Sequence, residues 1–167
     1  KEEFGKQISR ILRNEINPLV GLELKGVQTI LETGFDKTNN LHFIVYKNSQ
    51  EGFHPINNFN KKNFLELVET LNSLKKTNRY GFVLNAETIL LNQQNNILIK
   101  YVGLFEIFKL YKILNNEFLS PEILDNNKPK LQDDVFAITT LFREYLLDKQ
   151  NIIPKSLAEE RKDRYKK

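Results

Sequence analysis

The sequence predicts an α+β fold, and three observations carry that prediction. Apolar residues recur at helical spacing in four separate stretches, β-rich runs stand in pairs among them, and polar turn-forming segments join each pair. A chain of 167 residues, 40% of them hydrophobic, is long enough to bury an ordinary core.

The first stretch holds Phe4, Ile8, Ile11, Leu12 and Ile16, an amphipathic helix expected to stop before Asn17-Pro18, because a proline disfavours helical geometry in the residue ahead of it. Residues 27–32 and 41–46 are β-rich and flank turn chemistry over 34–40, which predicts an antiparallel pair. Phe64, Leu67, Val68, Leu71 and Leu74 form a second helical stripe, with Asn60-Lys61-Lys62-Asn63 in front to cap it. Residues 88–91 and 97–99 flank the polar Asn92-Gln93-Gln94-Asn95-Asn96, a hairpin loop by composition. The last helix is expected over 133–147, with Ile138, Leu141, Phe142 and Tyr145 on one face. Asp133 or Asp134 is its expected N-cap, and acidic residues suit that end of the dipole.

Composition removes several function classes. Without cysteine there is no disulfide or thiolate metal site, and a cytoplasmic setting is expected. No apolar run approaches the roughly 20 residues that span a bilayer, and no signal-peptide pattern opens the chain, so no membrane partner is expected. Beginning at Lys1 and lacking methionine, the sequence reads as a piece of a longer protein. The net charge of +4 is concentrated in residues 155–167, where Lys155, Arg161, Lys162, Arg164, Lys166 and Lys167 outnumber Glu159, Glu160 and Asp163. Such a tail reads as a solvated helix end or linker rather than a phosphate-binding surface, and no nucleic-acid partner is expected. His42 and His54 are the only histidines. His42 alternates with Leu41 and Phe43 as an outward-facing strand residue would, and nothing suggests a third metal ligand. No Ser/His/Asp arrangement offers a nucleophile. The 12 Phe and six Tyr fall mostly on apolar faces, which favours core packing over base stacking.

Three motifs carry a resemblance. Glu87-Thr88-Ile89-Leu90-Leu91, followed by Asn96-Ile97 and Gly103-Leu104, looks like the end of a kinase catalytic loop leading to the Asp-Phe-Gly motif. Ser120-Pro121-Glu122 resembles the Ala-Pro-Glu motif that closes the activation segment, and Asp134-Val135-Phe136-Ala137-Ile138 resembles the start of kinase helix F. Together with the order of elements, these motifs make residues 1–147 similar to the protein kinase-like family from helix C to helix F. The resemblance implies a kinase-like fold with a mostly helical large lobe and a reduced or truncated small lobe. Its expected divisions are 1–52 (helix C and two strands), 53–150 (large lobe) and 151–167 (basic tail or linker).

The same alignment implies that the chemistry is missing. Kinase catalysis is positioning plus electrostatics and depends on particular charges. Gly81-Phe82-Val83 stands where the family has His-Arg-Asp, and Val83 cannot accept a proton. Asn85 replaces the lysine two residues on, and Thr88 replaces the metal-binding asparagine. Tyr101-Val102-Gly103 occupies the Asp-Phe-Gly position, so a phenol stands where a hard cation needs a carboxylate. Gln7 falls at the helix C glutamate, give or take one residue. Gly103, Pro121, Glu122 and Asp134 match positions that brace the frame, whereas Thr139 departs from the usual helix F glycine.

The stretch 104–119 has no serine or threonine, and Tyr111 is its only hydroxyl. Leu104, Ile107, Phe108, Tyr111 and Leu114 fall at helical spacing, which predicts a packed helix that either plugs a substrate groove or joins the large-lobe core. The resemblance therefore implies a noncatalytic, pseudokinase-like domain with protein partners, no cofactor and no ATP binding, serving as a scaffold or regulatory module. Two alternatives stand beside it. One is an atypical kinase-like phosphotransferase or nucleotide-binding domain with altered chemistry. The other is an unrelated α+β domain that binds nucleic acid.

Overall fold

A computed structural model describes residues 2–48, 51–56, 59–78, 80–114, 116–125 and 127–147. The basic tail expected over 151–167 lies outside the described residues, as does the side chain of Tyr145. The architecture is α+β. It comprises helix α1 (Glu2–Ile11), strands β1 (Ile30–Asp36), β2 (Leu41–Tyr46) and β3 (Phe53–Pro55), helix α2 (Lys61–Lys75), strands β4 (Ile89–Asn92) and β5 (Ile97–Ile99), and helices α3 (Phe105–Leu110), α4 (Pro121–Leu124) and α5 (Leu131–Leu147).

Helical backbone does not end where Pro18 predicts. The chain widens into a π-helical turn over Leu12–Ile16 and tightens into a 3-10 turn over Asn17–Leu19, with Asn17 kept in helical geometry. Leu12 and Ile16, four residues apart and so on one face, are both buried, and Leu19 follows them into the core.

β1 and β2 form a two-stranded antiparallel sheet, but β1 starts later and ends later than its composition predicts. Residues 26–28 instead join β5: the Gln28 N–H donates to the Ile99 carbonyl (2.9 Å) and the Ile99 N–H to the Gly26 carbonyl (2.8 Å). The predicted turn also shrinks. Gly34 to Asp36 are strand residues, and Gly34 lies opposite Phe43, whose ring occupies the space a Cβ would need. Along β2 the expected faces are exchanged. His42, Ile44 and Tyr46 are half-buried toward α1, whereas Leu41, Phe43 and Val45 are exposed. His42 stacks on Phe35 with ring centroids 4.8 Å apart, and its Nε2 lies 3.3 Å from the Ser9 hydroxyl. That hydroxyl donates to the Gly5 carbonyl (3.0 Å), so in the contact with His42 it accepts.

The second sheet runs β3-β4-β5, all antiparallel, and β3 is a strand its three-residue length hid from pattern reading. Helix α2 supports this sheet from below. Asn60 and Asn63 cap it reciprocally, side chain to backbone, as their position predicts. Asn63, fully buried, also donates from Nδ2 to the Asn95 carbonyl (3.1 Å), and Glu66 accepts the Ile97 N–H (3.3 Å), which pins the hairpin to the helix.

α5 begins two residues earlier than predicted, at Leu131, and neither aspartate is its N-cap. Asp133, one turn inside, reaches back to accept the Lys130 N–H (2.6 Å). Phe142 of α5 packs against Phe64 of α2 with centroids 4.5 Å apart. One apolar cluster runs from Ile8 through Ile30, Leu67 and Ile99 to Leu141, taking residues from both sides of the 52/53 boundary.

Candidate functional site

Four of the sequence-selected residues, Val83, Asn85, Thr88 and Asp134, meet at the loop of residues 80–88, between α2 and β4. Its opening turn needs glycine: Gly81 has φ +76°, and a Cβ there would stand 2.5 Å from Pro129. The next residues run straight into the core, with Phe82, Val83 and Leu84 all buried. Their backbone polar groups therefore need partners. Asp134, 2% exposed on the first turn of α5, supplies two: its carboxylate accepts the Gly81 N–H (3.2 Å) and the Phe82 N–H (2.8 Å). Burial pushes the Asp134 carboxyl up to about 7, with a smaller push from Asp133, against the downward pull of those two donors.

The far half of the loop is closed by Asn85 and Thr88. Asn85 Oδ1 accepts the N–H groups of Glu87 (2.8 Å) and Thr88 (3.0 Å), an Asx turn. The buried Thr88 hydroxyl donates to the Val83 carbonyl and accepts the Asn85 N–H (3.0 Å). Hydroxyl and amide are thus committed to the loop's own backbone, and Val83 is an apolar side chain packed against Phe105 and Ile123. The cavity beside Val83, Asn85 and Asp134 has about 20 Å³, room for one water molecule.

Tyr101 follows β5 and holds a left-handed φ of +59°, which is costly for a bulky residue, about 1–2 kcal/mol. Its ring is edge-on to Tyr46 (6.2 Å, 77°), lies 5.9 Å from Phe108 of α3, and carries the Lys100 ammonium 4.9 Å from its centroid. These ring contacts bridge β2 and α3. Burial, with Tyr101 adding to it, raises the Tyr46 phenol above its ordinary value, and its hydroxyl has no partner among the described residues. Two residues on, Gly103 has φ +86°, and a Cβ would meet Leu19 at 2.7 Å, so this glycine sets how closely the segment approaches the turn after α1.

Pro121 and Glu122 are exposed, Pro121 opening the short α4. Their neighbour Ser120 is the buried member of the motif. It caps α4 by accepting the Ile123 N–H (3.3 Å) and donates to Asp133. The sequence places Ser120 in the Ser120-Pro121-Glu122 motif but assigns the bracing role to its two neighbours, although a serine directly ahead of proline is an N-cap signal; Tyr46 belongs to no motif. Gln7 is exposed on α1. α3 is shorter than its periodicity predicts: Tyr111 ends it, Lys112 has φ +57°, and Leu114 falls beyond. Phe105 is buried, Ile107 and Phe108 pack on the main cluster, and Tyr111 meets Phe4 edge-on at 5.3 Å.

Among the described residues no group of three His, Cys, Asp or Glu side chains is placed to hold a metal ion, and no helix is long and apolar enough to cross a membrane. No protein-family model matches the chain, and no curated protein matches it in sequence.

Proposed function

We propose that the chain is a noncatalytic, protein kinase-like domain that acts as a scaffold or regulatory protein-interaction module. One observation carries this reading. The side chains at the positions that resemble a catalytic loop are consumed in holding that loop, while a buried aspartate on α5 braces the loop's backbone. Thr88 has its hydrogen and an acceptor lone pair engaged inside the loop, so it is poorly disposed to ligate magnesium. Val83 has no proton acceptor to offer, and Asn85 has no charge. The Tyr101 ring sits where the resemblance puts the principal magnesium ligand, and it is packed rather than swung out. Gly81, Gly103, Ser120 and Asp134 meanwhile supply the geometry that keeps the loop, the short segment after β5 and α5 in register.

The test is a thermal-shift titration with ATP and magnesium alongside a phosphotransfer assay. The expected results are no magnesium-dependent rise in melting temperature and no transfer. Robust magnesium-dependent turnover would overturn the reading and favour an atypical phosphotransferase.

A further inference from the structure

A second groove lies on another side of the loop and shares Gly81, Phe82, Gly103, Phe105 and Pro129 with the site above. It has about 560 Å³ of space and runs between the C-terminal half of α1, the start of the 80–88 loop, α3 and residues 127–129. Arg10, Lys109 and Lys128 enter it from three different elements. Among the described residues none of the three has an ion-pair partner. Two carboxylates also line it: Glu15, which is engaged within the fold, and Glu106. Asn14, Asn78 and Asn127 add amide groups along the same walls, each able both to donate and to accept.

Arg10, Lys109 and Lys128, on separate elements, outnumber Glu15 and Glu106 along these walls, so the groove keeps a positive excess that a bound anion offsets. The amides suit a peptide backbone, whose N–H and C=O groups they can pair. Glu106 suits a ligand that carries N–H donors beside its anionic groups, as a peptide backbone does and a phosphate backbone does not. Resting on the reading of this domain as an interaction module, we propose that the groove is a docking site for an extended acidic peptide segment of a partner protein. Acidic side chains would meet Arg10, Lys109 and Lys128, and the backbone would meet the asparagines and Glu106.

The experiment is a fluorescence-anisotropy titration of a fluorescein-labelled peptide of glutamate interspersed with glycine and serine, against the whole chain at low and physiological salt. Saturable binding is expected, weakening with salt and falling by about tenfold or more in the Arg10→Glu, Lys109→Glu, Lys128→Glu triple variant. The matching glutamine triple variant should lose affinity at an unchanged melting temperature. Amide chemical-shift mapping on the unaltered chain makes the test independent of any variant's folding: shifts at Asn14, Lys109 and Asn127 support the site, and shifts elsewhere overturn it. It is also overturned by absence of binding, by affinity unchanged in both variants, by loss of binding only on deleting residues 155–167, or by a single-stranded oligonucleotide that binds more tightly than the peptide. The phosphotransfer assay reads the noncatalytic assignment separately, so failure of the groove and failure of that assignment give different results.

Discussion

Phe82 and Asp134 are joined across 52 residues by a 2.8 Å hydrogen bond from the Phe82 backbone N–H to the Asp134 carboxylate. With the companion bond from Gly81, this fastens the loop between α2 and β4 to the first turn of α5. Removing the carboxylate leaves two buried N–H groups without a partner. Asp134→Ala is therefore expected to cost about 2–5 kcal/mol in urea denaturation.

The same carboxyl gives stability a pH dependence. Its folded value of about 7 lies above the ordinary 3.8, so the folded state keeps this proton after the unfolded state has released it. The stabilisation is complete below about pH 4, falls as pH rises through the window between 3.8 and about 7, and levels off above it, with a slope of at most about 1.4 kcal/mol per pH unit. Melting temperature measured across that range should show the decline in the native chain. In Asp134→Asn, which cannot titrate, the contribution should vanish; an unchanged slope would assign it to other groups.

Thr88→Val keeps the shape and removes the hydroxyl. The Val83 carbonyl and the Asn85 N–H then both lose a partner, and a loss of about 1–3 kcal/mol is expected in chemical denaturation. Hydrogen exchange at the Asn85 amide should accelerate as well. Protection equal to that of the native chain would show that the hydroxyl does not hold the loop.

Ser120→Ala removes two functions of one hydroxyl, the cap of α4 and the hydrogen bond to buried Asp133. About 1–3 kcal/mol of destabilisation is expected. Ser120→Thr, which keeps an oxygen at the cap, should recover part of it.

Tyr101→Asp restores a carboxylate at the position that resembles a magnesium ligand. Because Val83 and Asn85 are unchanged, no magnesium-dependent thermal shift with ATP is expected. Melting temperature should fall, since the contacts of the ring with Tyr46 and Phe108 are lost. A magnesium-dependent rise would instead show that a nucleotide site needs only this one charge.

Periodicity made most of the elements legible. The stripe from Phe64 to Leu74 matches α2, its Asn60 to Asn63 cap included, and the pair 88–91 with 97–99 matches the β4-β5 hairpin to within a residue. The misses have physical causes. The extent of β1 depends on residues 26–28 pairing with β5, a long-range choice that local composition does not encode. The faces of β2 could not be told apart because Leu41, Phe43 and Val45 are as apolar as Ile44 and Tyr46. Which side is buried was decided by where α1 packs. The first helical run does stop at Ile16, ahead of Asn17-Pro18, but Asn17 keeps helical geometry because a 3-10 turn begins there with Pro18 inside it. At the site, the motifs point to the loop, to Asp134 and, through the proline behind it, to the Ser120 cap, whereas the place of Tyr46 and the bond from Ser120 to Asp133 emerge only once their neighbours in space are known.

The hydrogen bonds from Gly81 and Phe82 to Asp134 also set a schedule for the growing chain. A ribosome adds residues at about 5–20 per second. The loop is synthesised first and its brace 52 residues later, so for several seconds the two amides exist without the carboxylate that receives them. The apolar residues Phe82 to Leu84 cannot reach their final place at low cost until α5 has emerged. During that interval Phe82, Val83 and Leu84 lack the packing that buries them in the finished fold.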